Sequence, residues 1–371
     1  MLTRRTFALA PAAALIGCGS RRVSGFDGYA FIANADGQAI AVIDLNTFTP
    51  ARHIPLDARP SAVLAPARRP FVYVLAPDGG LLYAINAADL NSRRRLRVAR
   101  VAISMRLNHD AGAVWVLCRE PRELVRVELG SFRTDARISL PANANDFDLA
   151  PGGGSAVVSF ADDGMFGLVD LANRRCKVFD LGRRPSMARF RSDGRQVLVT
   201  AADDARLSIA DAKSGRIIVH LPLAVTARNL CFKSDGGQLF ITGDGMDAVV
   251  VVYPFTTEVA ETSLAGRAPG FMAECAGEDT DYLFVTNRTS GEVTILDIET
   301  HRVIAVVGVG RSPGFVAMTP DTRYALVLNE ESGDMAVIRV AAIAAKRDRS
   351  APLFTMVPIG SRPVSAAVRA V

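Results

Sequence analysis

Three features of the 371-residue chain predict an all-β protein closed into a ring of eight four-stranded sheets. A tetrad of apolar and β-branched residues returns eight times at a nearly constant interval. Each return is followed by turn residues and further short apolar strands. The chain opens on what reads as a second strand and ends on what reads as a first one, so its two ends are complementary.

The tetrads are FIAN (31–34), YVLA (73–76), WVLC (115–118), VVSF (157–160), LVTA (198–201), FITG (240–243), FVTN (284–287) and LVLN (326–329). Their starts lie 42, 42, 42, 41, 42, 44 and 42 residues apart. A repeat of this length marks a stacked or radial architecture. After each tetrad come a turn and another apolar strand, such as AIAVIDL (39–45) or EVTILDI (292–298). A third strand follows, as in RVIAVVGVG (302–310). A turn rich in Gly, Pro and Arg then leads to a fourth, such as GFVAMT (314–319). Short strands punctuated by turn chemistry at this spacing form one small sheet per unit.

Such a sheet is apolar on both faces and cannot cover itself. A ring lets every unit lie between two neighbours and leaves only short protected edges. The tetrads resemble the YVTN-type β-propeller repeat over residues 29–371, FVTN at 284–287 being the nearest copy. Eight copies of each strand predict eight blades, with seven as the alternative if one set is displaced. The segment PVSAAVRAV (363–371) then supplies the innermost strand of the blade begun by residues 29–57, joining the ends of the ring.

The first residues, MLTRRTFALAPAAALIGCGS, have a charged end, a short apolar run and small residues before a cysteine. This is the layout of a secretory leader. TRRTFAL resembles a twin-arginine signal, and LIGC resembles the lipobox of bacterial lipoproteins. The resemblance implies a signal peptide over 1–17, lipidation at Cys18, a tether over 18–28 and a lipid-anchored place in the periplasm or cell envelope. No later apolar run reaches membrane-spanning length, so the anchor would be the only membrane contact. Of the residues, 49% are apolar, and 43 Lys and Arg stand against 38 Asp and Glu, a formal charge of +5. Without a dense basic tract, that excess does not point to nucleic acid. A monomer is expected.

In a propeller the first strand of each blade lines the central channel, and its side chains alternate with period two. Indexed from the proline of RP, APG or SPG, one set of positions is apolar on every blade (Val63, Met105, Phe147 and Ala188 among them) and should pack between blades. The next position carries charge on three consecutive blades: Arg106, Asp148 and Arg189. Asp146, Asn229, Phe271 and Phe315 share this side above, and Arg191 and Lys233 below. The channel is thus expected to be polar on blades three to six and apolar elsewhere. Arg106, Asp148 and Arg189 would form an ion triad stapling neighbouring blades, since a buried charge must be paired. The competing reading is a pocket for an anionic or carboxylate-bearing ligand, which the donor fork of arginine suits.

Loops from fourth to first strands carry arginines, including Arg183, Arg184, Arg267, Arg311 and Arg362. Loops from second to third strands, on the same face, carry Asp162 and Asp163, Asp203 and Asp204, and Asp244. The rim candidates for a ligand or envelope protein are Asp163, Asp204, Asp244, Arg267 and Arg311. Asp is also favoured in such turns for backbone reasons alone. The connection AAIAAKRDRSAP (341–352), on the opposite face, is lengthened.

Four histidines lie scattered without metal-ligand spacing, and no CxxC, GxSxG or phosphate-cradling loop is present. No cofactor is predicted, with calcium at the acidic sector as the one candidate. Cys118, Cys176, Cys231 and Cys275 fall out of register with one another and are expected as free thiols. These features predict a non-catalytic exported binding protein. The alternatives are a metal-dependent hydrolase, as in lactonases similar to this repeat type, and a maturation factor for an exported cofactor protein.

Overall fold

Every tetrad lies in a buried strand that pairs on both sides. The computed structural model describes residues 25–91, 93–277, 281–343 and 351–370, which hold 32 strands in eight four-stranded antiparallel sheets. The fold is an eight-bladed β-propeller. The predicted leader, Cys18 and most of the tether lie outside the described residues, as does the middle of the lengthened connection. Among the described residues no helix is long and apolar enough to cross a membrane.

The innermost strands, in blade order from two to eight, are Ala62–Leu64, Val101–Leu107, Asp146–Leu149, Pro185–Phe190, Thr226–Phe232, Pro269–Ala276 and Pro313–Met318. Blade one takes its innermost strand, Pro363–Ala370, from the end of the chain, against Gly28–Asn34 from its beginning. The pairing is antiparallel, with Gly28 opposite Ala370 and Phe31 opposite Ala367. The Ser365 hydroxyl also accepts the Val63 N–H at 3.2 Å, tying the closing strand to blade two.

The core is divided among the junctions. Eight apolar clusters occur, and each draws on two adjacent blades. Phe31, Ile40 and Val42 of blade one, for example, pack with Val72, Val74 and Tyr83 of blade two. A fully buried side chain of this size stabilises by about 1.5–3 kcal/mol, and here that gain exists only when the neighbouring blade is in place. Outermost strands meet water on one side and read accordingly: Arg93–Arg97 has the sequence RRRLR and is mostly exposed.

Polar tetrad residues have structural work. On blades four, six and seven the third letter is a buried hydroxyl that reaches the next blade's innermost strand: Thr242 Oγ1 donates to Gly270 O at 2.6 Å and Thr286 Oγ1 lies 3.0 Å from Gly314 O. Ser159 Oγ lies 3.4 Å from Ser186 O. The fourth letter, where it is asparagine, is fully buried against the loop that enters its own blade. A Cβ on Gly310 would lie 2.5 Å from Asn329 Nδ2, so that close approach requires glycine.

Candidate functional site

The central channel collects the charges that the register predicts. Met105, Phe147 and Ala188 point between blades and are buried. Their neighbours Arg106, Asp148 and Arg189 alternate to the other side and are half-buried. The strands of blades three, four and five therefore present two guanidinium groups and a carboxylate to one wall of the channel.

The bridge within this group is Asp146, two residues from Asp148 on the same side of the strand. Its Oδ2 accepts the Ala188 N–H at 3.1 Å and pairs with the Arg189 guanidinium, while Oδ1 lies 3.7 Å from Arg106 Nη2. Asp148 stands 4.0 Å from Arg106 Nε and spends its other oxygen on the Phe190 N–H at 3.0 Å. The expected triad is thus corrected to a four-membered group in which Asp146, not Asp148, joins the two arginines. The Asp-x-Asp spacing at 146–148 carried that signal.

The four groups are unequally satisfied. Arg189 is held by Asp146 and by its own Ala188 carbonyl at 2.7 Å. Arg106 donates one hydrogen bond, to the Met105 carbonyl at 3.3 Å, and neither carboxylate comes within hydrogen-bonding reach of it. Its side chain is 35% exposed, toward the channel. Burial and the neighbouring Arg189 charge both lower the Arg106 pKa, although a guanidinium stays protonated. Burial raises the Asp148 pKa against the opposing pull of Arg189, the Phe190 N–H and Arg106.

Two residues assigned to the lower channel lie elsewhere. Arg191 follows the end of its strand. It is bound by Asp193 at 2.7–2.9 Å, Gln196 at 2.8 Å and the Pro254 carbonyl at 3.3 Å, over the Phe255 ring. It fastens blade five to blade six and does not line the channel. Lys233 likewise begins a turn and pairs with Asp235 at 3.2 Å and Asp281 at 3.1 Å. Beside it Glu274, whose pKa burial raises, accepts the Ser234 N–H at 2.6 Å. Asn229 sits half-buried on the innermost strand of blade six.

The rim carboxylates do not converge on one point. Asp204 pairs with Arg183 at 3.6 Å and Arg206 at 3.5 Å, Asp162 with Arg184 at 3.5 Å, and Asp244 with Arg228 at 2.7 Å. Asp163 is exposed. Among the described residues no group of three or more His, Cys, Asp or Glu is placed to hold a metal ion. On blades seven, eight and one the same face has a groove of about 700 Å³. The Arg288–Glu330 pair, at 2.7 Å, and Arg362 line it. Arg311 lines the neighbouring groove, and both it and Arg267 are exposed without an ion pair among the described residues. Cys118, Cys176, Cys231 and Cys275 are free, and burial raises each thiol, to about 12 for Cys118 and Cys231 and about 11 for Cys176 and Cys275.

Fold and channel together define a closed eight-bladed propeller with a charged inner wall. Solved structures resemble it in fold. A structure described as dihydro-heme d1 dehydrogenase NirN in complex with DHE superposes with a TM-score of 0.76 at 15% identity, over 92% of this chain and 75% of that one. Apo AztD from Citrobacter koseri gives 0.69 at 12% identity, over 92% and 97%. Kuenenia stuttgartiensis hydrazine synthase gives 0.60 at 16%, over 78% and 98%. At these identities the likeness is one of fold. No family model matches the sequence, and no curated protein matches it either.

Proposed function

We propose that the chain is a non-catalytic binding protein of the cell envelope, exported and lipid-anchored at Cys18, whose central channel takes a small anionic ligand. The observation that carries this reading is Arg106. Its guanidinium fork has five donors, makes one hydrogen bond and faces the channel. A carboxylate or sulfonate there would supply the acceptors that Asp146 and Asp148 hold too far away. The leader, with its charged end and its LIGC segment, supports export and anchoring.

The test is a thermal-shift panel of small carboxylates and sulfonates on the purified mature protein and on Arg106→Gln. Ligand binding to the folded state raises Tm by mass action. At least one acid is expected to do so in the native protein and to fail in the variant. A panel that moves neither protein, or both equally, would remove the channel from consideration. Lactone turnover abolished by a chelator would replace this reading with a metal-dependent hydrolase. Recovery with an exported cofactor protein would replace it with a maturation role.

A further inference from the structure

The channel wall opposite the arginines is aromatic. Phe271 and Phe315 occupy, on blades seven and eight, the same register as Asp146 on blade four, each two residues past Pro269 or Pro313. Their ring centroids are 5.7 Å apart. Phe271 is 43% exposed, unusual for a phenyl on an innermost strand, while Phe315 is half-covered. In a ring of eight, blade seven stands across from blade three and blade eight from blade four. The phenyl pair therefore faces the wall that carries Arg106 and Asp146. It sits one alternation nearer the upper face than Arg106, about 7 Å along the strand. On the same face, Arg267 and Arg311 stand two residues before Pro269 and Pro313, in the turns that lead into these strands.

We infer that the ligand is an acid with a flat aromatic body, its anionic head on Arg106 and its ring against Phe271 and Phe315. This rests on the reading of the channel as an anion site and specifies the other end of the molecule. A half-exposed phenyl pair is a surface that another ring covers well, edge-on or offset. A simple anion would leave it wet, and a neutral aromatic would leave Arg106 with its single hydrogen bond. Arg267 and Arg311, exposed and without an ion pair among the described residues, add positive charge to a mouth that Asp247 and Glu331 also line. Asp146 spends one oxygen on Arg189 and reaches Arg106 only at 3.7 Å, so the Arg106 fork keeps donors that no carboxylate hydrogen-bonds.

Calorimetric titration with three probes separates the parts: 1-naphthoate (ring and head), 2-naphthol (ring alone) and acetate (head alone). The full mature protein should bind 1-naphthoate at least roughly tenfold more tightly than either fragment. Phe271→Ala should weaken 1-naphthoate roughly three- to tenfold, the range for losing one aromatic contact. Phe271→Leu, which keeps an apolar side chain and guards against misfolding, should weaken it less. Arg106→Gln should bring 1-naphthoate down to the 2-naphthol level. If 1-naphthoate affinity stays within about twofold in Phe271→Ala while Arg106→Gln abolishes it, the aromatic body is wrong and the anion site stands. If Arg106→Gln binds 1-naphthoate as the native protein does, the anion site itself fails. If 1-naphthoate does not bind at all, the inference falls.

Discussion

The Asp146 carboxylate holds Arg189 of the next blade through one oxygen, which also accepts the Ala188 N–H, and turns its other oxygen toward Arg106 of the preceding blade at 3.7 Å. One side chain thereby couples three consecutive blades around the channel. Asp148, its neighbour on the same side, makes a weaker set of contacts.

Asp146→Asn should therefore cost more than Asp148→Asn. Removing the Asp146 charge leaves two partly buried guanidinium groups short of a partner, which should cost about 2–3 kcal/mol. Asn at 148 retains an acceptor for the Phe190 N–H and should cost less than about 1 kcal/mol. Urea midpoints at unchanged m-value measure both. Equal losses would place the bridge at the wrong residue.

Asp148 also predicts a pH dependence. Burial raises its pKa in the folded chain, so folding favours the protonated form. Its stabilising contribution is complete below the unfolded carboxylate pKa, about 3.9, and is lost as pH rises through the higher folded value. Asp148→Asn cannot ionise and lacks this loss. The stability of the variant relative to the native chain should thus increase across that window and then level off. A difference that stays flat from below the unfolded pKa to neutrality would contradict the assignment.

The tetrad hydroxyls should behave as inter-blade clips. Thr286 Oγ1 lies 3.1 Å from Phe271 O and 3.0 Å from Gly314 O, linking blades seven and eight. Thr286→Val keeps the shape and leaves buried carbonyls unanswered, a loss of about 1–2 kcal/mol. Thr286→Ser should recover most of it. If valine were neutral in denaturant titration, the hydroxyl would have no stabilising part.

Closure depends on the last strand. Deleting residues 363–371 strips Gly28–Asn34 of its inner partner and uncovers the adjoining apolar clusters of blades one, two and eight. The truncated chain should fail to give a soluble monomer by size-exclusion chromatography. An intact monomer with unchanged Tm would show that the ring does not need its closing strand.

The four thiols should be silent in the folded protein. A thiol whose pKa is pushed to about 11 or 12 carries almost no thiolate at neutral pH. A disulfide-exchange reagent should label them slowly in buffer and completely in urea, and reductant should leave Tm unchanged. Fast labelling in buffer would mean that the chain opens around them.

Sequence alone determined the blade count, the closing of the ring and the placing of charge on the inner wall of blades three to five. Those properties follow from a regular repeat and from period-two alternation, which are local and written in chain order. Tertiary structure decided which charges meet. Arg106, Asp146 and Arg189 lie about one repeat apart, and whether a guanidinium bonds a carboxylate depends on side-chain reach across a junction that no local pattern encodes. Indexing by twos also fails where a strand stops: Arg191 and Lys233 lie just past Phe190 and Phe232, where turns redirect them to Asp193 and Asp281. The aromatic wall was present in the sequence as two phenylalanines, but only the ring places it opposite the arginines.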